Sequence, residues 1–152
     1  MREALFSIVG PLDDAVVIDL FSGSGALGLE SLSRGARRCV FVEHDPAAAR
    51  TIQQNLARLG LGTALVVRRD AISAAREESN AGRIYDLVLA DPPYGSWREL
   101  EPRLARVLPA LLALDGQLVV ETDFRTEPEL PLDLVTTRRY GSARLTVFRH
   151  PA

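Results

Sequence analysis

The segment Leu89-Ala-Asp91-Pro92-Pro93-Tyr94-Gly95 sets a carboxylate, two prolines and an aromatic ring in direct succession. The prolines remove two backbone donors and stiffen the chain, which leaves the Asp91 carboxylate and the Pro92 carbonyl as acceptors beside the flat face of Tyr94. This set suits a planar amine, such as the exocyclic amine of a nucleobase. An amine of that kind is a poor nucleophile because its lone pair is delocalised into the ring. Two acceptors gripping its N–H groups favour a pyramidal nitrogen aimed at an electrophile, while the aromatic ring stacks the base. A second stretch, Asp19-Leu-Phe21-Ser-Gly23-Ser-Gly25-Ala-Leu-Gly28, carries the pattern G-x-G-x-x-G. Glycines at that spacing let backbone approach a nucleotide-like ligand, provided that a strand precedes them and a helix follows.

The neighbours of the glycines select the ligand. Glu43 ends the second strand pattern some 20 residues after the first glycine, where a carboxylate accepts from both hydroxyls of a ribose. Asp19 lies just before the glycines and would repel a pyrophosphate, but it suits the ammonium and sulfonium end of S-adenosylmethionine, which favours that donor over NAD. Phe21 in the loop and His44 beside Glu43 count as donor-binding positions with them. Asp70, followed by Ala71, is placed to accept from an adenine exocyclic amine or to cap a helix, and it can do both through different atoms. Asp91 faces the incoming amine first and the donor second. No His, Cys, Asp or Glu spacing suggests a metal site.

The elements that must position these residues are legible as apolar runs alternating with segments of helical period, the pattern of an α/β domain with a parallel sheet. Strands are predicted at Ala15–Leu20, Cys39–Val42, Ala64–Val67, Tyr85–Ala90 and Gln117–Glu121. Helices are predicted at Arg2–Val9, Ala26–Ser33, Pro46–Leu59, Ala71–Ser79 and Glu99–Leu114. Asp45-Pro46 reads as an N-cap with proline in the first turn, and Gly60 as the stop of the same helix. After the proline-containing loop Glu127–Leu132, the stretches Leu134–Tyr140 and Ala143–Arg149 flank Gly141-Ser142 and read as a terminal hairpin.

A chain of 152 residues, 47% hydrophobic and 25% charged, fits one globular core and excludes disordered, collagen-like and coiled-coil classes. Its one cysteine, Cys39, excludes an intrachain disulfide and reads as a small buried side chain on an intracellular strand. No secretory leader or membrane-length apolar run is present, so a cytoplasmic location is expected. The net charge of −2 argues against a broad positive field for non-specific nucleic-acid binding, and leaves room for a local patch of arginines, the sole basic residue type here apart from histidine.

Taken together, Arg2-Glu-Ala-Leu-Phe6, the run Asp19 to Ala36, Phe41-Val-Glu43, Asp91-Pro-Pro-Tyr94 and Tyr140-Gly-Ser-Ala-Arg-Leu145 make the chain resemble the class I S-adenosylmethionine-dependent methyltransferases. Within that class it is similar to the RsmD-like family of bacterial 16S rRNA guanine-N2 methyltransferases. The resemblance implies a Rossmann-like α/β fold: a seven-stranded, mostly parallel sheet with an antiparallel C-terminal hairpin strand and helices on both faces. It implies that Asp19, Phe21, Gly23, Gly25, Gly28, Glu43, His44, Asp70, Ala71 and Asp91 serve the donor, and that Asp91, Pro92, Pro93 and Tyr94 hold the target guanine for direct in-line transfer. The partner implied is 16S rRNA within an immature small ribosomal subunit, with no metal, no membrane and a monomeric enzyme. The Asp-Pro-Pro-Tyr element by itself is shared with enzymes acting on DNA adenine N6 or protein glutamine, and the glycine turn with non-catalytic nucleotide-binding modules.

Members of the RsmD-like family usually carry a basic, β-rich segment ahead of the Arg-Glu-Ala-Leu-Phe helix. The present chain opens inside that helix and is read as a single methyltransferase domain, 1–152. Weak, salt-sensitive RNA binding is therefore expected, carried by Arg98, Arg138, Arg139 and Arg144, with Trp97 either touching RNA or packed in the core.

Overall fold

The computed structural model describes residues 1–61 and 63–151. The chain opens with helix α1 (Arg2–Val9) and then alternates β1 (Val16–Asp19), α2 (Ala26–Ser33), β2 (Arg38–Val42), α3 (Pro46–Leu59), β3 (Ala64–Val67), α4 (Ala71–Asn80), β4 (Tyr85–Ala90), α5 (Trp97–Leu111) and β5 (Leu112–Asp123). The hairpin of β6 (Asp133–Tyr140) and β7 (Ala143–Arg149) follows. The strands form one seven-stranded sheet in the order β3-β2-β1-β4-β5-β7-β6. The first five strands pair in parallel, whereas β7 runs antiparallel between β5 and β6. The expected architecture is thus present.

Alternation along the central strands divides the core between the two faces. Ile18, Val40 and Val88 pack with Ile72 of α4 and Leu104, Leu108 and Leu111 of α5. Val17, Cys39, Phe41 and Leu87 point the other way, toward Leu5 and Phe6 of α1 and Ile52 of α3. Helix α3 has the predicted ends: the Asp45 carboxylate accepts from the Ala48 amide at 2.9 Å, and Gly60 closes the helix with φ 69°.

The largest departure from the expected elements concerns the helix placed at Glu99–Leu114 and the strand at Gln117–Glu121. Helix α5 runs from Trp97 to Leu111, and Leu112 turns extended (φ −91°, ψ 137°) to pair with Tyr85 of β4. The apolar residues Leu112 and Leu114 continue the helical pattern in sequence, but strand pairing takes the backbone. A break in register between the Tyr85 and Leu87 pairs follows, with Asp115 at φ 62° and Gly116 where a Cβ would lie 2.7 Å from the Ala113 carbonyl. Smaller shifts drop Ala15 and Leu20 from β1, although both are buried, and add Arg38 to β2, Asn80 to α4 and Asp133 to β6. No helix among the described residues is long and apolar enough to cross a membrane.

Candidate active site

Acids stand at the same end of three adjacent strands, β1, β4 and β5. Asp19 closes β1 in register with Leu89, while Asp91 and Glu121 each lie one residue beyond the last β4–β5 pair, Ala90 with Val120. Asp19 is 1% exposed, and neither of its carboxylate oxygens has a hydrogen-bond partner among the described residues. Burial pushes its carboxyl up to about 7; the nearby Gly28 amide pulls the other way, and the charges of Asp91 and Glu43 push it further up. Desolvation likewise raises the Asp91 carboxyl, although this residue stands where solvent reaches it at the cleft. Glu121 is raised to about 6, by burial first and then by the charge of Asp91, with the chain's amino group opposing. A row of carboxylates without internal donors is unfavourable unless a ligand brings positive charge or N–H groups to it.

The loop after β1 is held open by its own hydrogen bonds. Ser22 Oγ donates to the Asp19 carbonyl and the Ser22 amide to the Val42 carbonyl, while Gly25 adopts φ 85° at the N-terminal boundary of α2. Glu43 braces this loop: the Gly23 amide donates to Oε1 at 2.8 Å and the Asp45 amide to Oε2 at 3.0 Å. Its two oxygens, assigned from sequence to ribose hydroxyls, thus have a structural duty first, with a second lone pair on each remaining for a hydroxyl. Phe21 is partly buried against the core, and His44 is exposed with Nδ1 3.7 Å from Glu43 Oε2. Asp70 caps α4 through Oδ2, which accepts from the amide and the hydroxyl of Ser73, and Ala71 is buried in the first turn; Oδ1 takes no part in the cap.

Gly28 carries a packing requirement besides its place in the glycine loop. A Cβ there would lie 2.3 Å from Phe41 and 2.9 Å from the Cys39 sulfur. The close packing of α2 on β2 requires a glycine here, while its amide lies toward Asp19.

Beyond the acid row lies a cleft of about 530 Å³ between the Asp91–Arg98 loop and the ends of β5 and β7. Tyr94 lines it with 89% of its surface exposed. Ser96 takes the Pro93 carbonyl through both its amide and its hydroxyl, whereas the buried Pro92 has no backbone partner for its carbonyl among the described residues. Asp91, Pro92 and Tyr94 thus line one cleft.

The expected arginine patch is only partly free. Arg144 is committed inside the fold, donating through Nε to the Phe124 carbonyl at 3.0 Å and through a terminal nitrogen to Thr137 Oγ1 at 2.9 Å. Arg139 lies over the Phe124 ring at 3.8 Å and donates to the Gly141 carbonyl. Trp97 is 6% exposed and donates to Glu101, so it belongs to the core. Arg98 lines the cleft and Arg138 is exposed on β6. Sequence reasoning missed Arg125 and Glu121, both in the cleft wall. For Glu121 the available signal was an acid closing the predicted strand Gln117–Glu121, as Asp19 closes β1.

A family described as Conserved hypothetical protein 95 matches residues 1–149. The Bacillus subtilis protein YlbH, provisionally named an rRNA methyltransferase, is 36% identical over 159 residues, covering 98% of this chain and 84% of that protein. The Escherichia coli ribosomal RNA small subunit methyltransferase D is 41% identical over 95 residues, 62% of this chain and 46% of that enzyme. The match thus spans less than half of the Escherichia coli enzyme's length. Among solved structures, yhhF of Escherichia coli, provisionally named a methyltransferase, superposes with a TM-score of 0.89 at 32% identity, covering 99% of this chain and 85% of that one.

Proposed function

Since the chain belongs to the Conserved hypothetical protein 95 family, we propose that it is an S-adenosylmethionine-dependent methyltransferase that acts on the exocyclic N2 amine of a guanine in 16S rRNA. The observation that carries this reading is the row of Asp19, Asp91 and Glu121 at one end of β1, β4 and β5, Asp19 buried with no hydrogen-bond partner among the described residues, with the Pro92 carbonyl and the Tyr94 ring beside it. The names of the Bacillus and Escherichia coli relatives favour rRNA over DNA or protein as the acceptor.

The cofactor, when bound, supplies an electrophilic methyl group on a sulfonium. Asp19 offers it a buried carboxylate whose oxygens have no hydrogen-bond partner among the described residues, which suits its cationic amino-acid end and disfavours a pyrophosphate. Gly23 and Gly25 keep the loop backbone thin where the ligand passes, and Glu43 fixes that loop while presenting its remaining lone pairs to the ribose. His44, Phe21 and Ala71 contribute the rim and wall of the same site, and the free oxygen of Asp70 faces the base.

On the acceptor side, Tyr94 stacks the guanine while the Asp91 carboxylate and the Pro92 carbonyl each accept one N–H of the amine. Pro93, its own carbonyl held by Ser96, keeps the loop in the conformation that directs Pro92 inward. This grip holds the nitrogen lone pair toward the methyl group. Asp91, facing solvent at the cleft, is the group that would take up the N–H proton released from the amine as it is methylated and pass it to solvent. The substrate is proposed to be the rRNA within an immature small subunit, whose shape and proteins add contacts that two free arginines do not, and the enzyme to act as a monomer in the cytoplasm.

The test incubates the protein with methyl-labelled S-adenosylmethionine and, in parallel, immature small subunits, naked rRNA, DNA and protein. Nucleosides are then resolved by mass spectrometry. N2-methylguanosine from the small-subunit RNA, highest from immature particles, is expected. Label confined to DNA adenine or to glutamine would refute the assignment.

A further inference from the structure

The Asp-Pro-Pro-Tyr loop serves any planar amine, so it does not distinguish guanine from adenine. The discriminating group must therefore stand beside that loop, and the cleft holds one unassigned candidate. Glu121 lies on β5 one residue beyond the last β4–β5 pair, at the level of Asp91, lines the same cleft, is half-buried, and has no hydrogen-bond donor of its own among the described residues. The charge of Asp91 is felt at Glu121, which it helps to push up. The other acids on that wall are otherwise engaged: Asp123 accepts from Arg125 and Thr126, Glu101 from Trp97 and Glu129, and Glu127 pairs with Arg144.

The edge of guanine that carries its 2-amine presents two neighbouring donors, N1–H and N2–H. Adenine presents one donor, the 6-amine, beside a bare N1 acceptor. Two adjacent carboxylates match the first pattern. Against the second, one of them meets a lone pair and stays desolvated without a partner.

We propose that Glu121 is the specificity-determining residue of the acceptor site, its carboxylate accepting from N1–H of the target guanine while Asp91 and the Pro92 carbonyl hold the 2-amine. The inference rests on the guanine reading given above and extends it to the group that enforces the choice of base. It also accounts for the clustering of two acids that repel each other when the cleft is empty: the guanine edge supplies one N–H to each.

The experiment replaces the target guanine, once mapped with the wild-type protein, by 2-aminopurine in a synthetic RNA. That base keeps the exocyclic 2-amine and has a bare acceptor at N1. The wild-type protein is expected to prefer guanine over 2-aminopurine by about 10–150-fold in kcat/KM, the range set by one hydrogen bond to a charged group. In Glu121→Gln the side-chain amide can turn either its oxygen to N1–H or its nitrogen to the bare N1, so the preference should collapse by at least tenfold, through gain on 2-aminopurine as well as loss on guanine. Calorimetry with S-adenosylhomocysteine verifies that the variant is folded and keeps its donor site; should Glu121→Gln fail this check, Glu121→Asp is used, which keeps the charge one methylene shorter and should lose turnover on guanine without accepting 2-aminopurine. Unchanged preference in Glu121→Gln, with turnover on both bases lowered alike, would overturn the proposal and leave a structural role. Absence of any N2-methylguanosine with the wild-type protein would instead overturn the function from which the proposal starts.

Discussion

Replacing Asp19 by asparagine should make the ligand-free protein more stable while removing its capacity to bind the donor. The carboxyl has an ordinary value of 3.8 and a folded value of about 7, so the folded state retains a proton that the unfolded chain releases. For such a group stability falls as pH rises from 3.8 to about 7 and is then level, the slope following the excess of protons bound by the native state. About 3 units at 1.36 kcal/mol each give a cost of about 4 kcal/mol above pH 7. Asparagine, of the same shape and never ionised, escapes it. The advantage of Asp19→Asn is then near zero below pH 4, roughly 1–2 kcal/mol at pH 5 and about 4 kcal/mol at pH 8. At roughly 2–4 °C per kcal/mol for a chain of this size, the gap in Tm between variant and wild type should widen by about 5–10 °C from pH 5 to pH 8. Differential scanning calorimetry of the ligand-free proteins at pH 5, 6.5 and 8 measures it, and titration with S-adenosylmethionine should show binding lost in the variant. A gap independent of pH, or a variant less stable than wild type at pH 8, would refute the view of Asp19 as an uncompensated buried acid.

Other expectations follow from the same geometry. Asp91→Ala should lower turnover by about 10²–10³, on the scale of removing one preorganised hydrogen-bonding group, with donor affinity by calorimetry kept within a few-fold; a third of wild-type turnover at saturation would remove Asp91 from the chemistry. Glu43→Ala should weaken donor binding by roughly 1.5–3 kcal/mol, because it releases the Gly23 and Asp45 amides as well as the ribose contacts, and calorimetry would reveal undiminished affinity if the brace were idle. For Gly28→Ala, thermal unfolding should report a loss of roughly 1–3 kcal/mol from overpacking against Phe41, whereas a purely ligand-facing glycine would leave Tm untouched. Arg98→Ala should lower the slope of log affinity for rRNA against log salt by about 0.7–0.9, and the equivalent change at Arg144 should chiefly affect stability.

Much of this architecture is legible in the sequence because local and long-range preferences agree. Asp45-Pro46 and Gly60 bound α3 by capping chemistry that operates within a few residues, and the apolar runs of β1, β2 and β4 have few alternatives to burial in a parallel sheet. Where the two levels conflict, the sequence misleads. Leu112 and Leu114 extend a helical period, but Leu112 is drawn into pairing with Tyr85, a partner that no local window contains. Gly28 fits a ligand-binding pattern equally well whether it opens space for a cofactor or for Phe41, and only the packing separates the two. Arginine type and position say nothing of whether the guanidinium is already spent, as it is for Arg144 on Phe124 and Thr137. Glu121 escaped notice for a related reason: its meaning comes from standing beside Asp91 across a strand boundary, a relation set by sheet order.

The order of strands also places a seam through the site. Strands β1 and β4 are neighbours in the sheet, yet their partners Val17 and Leu87, Ile18 and Val88, and Asp19 and Leu89 are about 70 residues apart in the chain. The glycine loop and Glu43 belong to the part built first, β3-β2-β1, while Asp91, Tyr94 and Glu121 belong to the part built later, β4-β5-β7-β6. A growing chain can form the first half's loop long before the carboxylates of the second approach it, and closing so distant a contact is the slow event in folding such topologies. Helix α1 serves as a clasp across that seam: it comes from the earliest part of the chain, yet the Val9 carbonyl accepts from the Gln117 side chain of β5 at 2.9 Å. Hydrogen exchange at the Leu20 amide, which donates across the seam to Leu89, should therefore report the opening that separates donor half from acceptor half, and loosening α1 should hasten it.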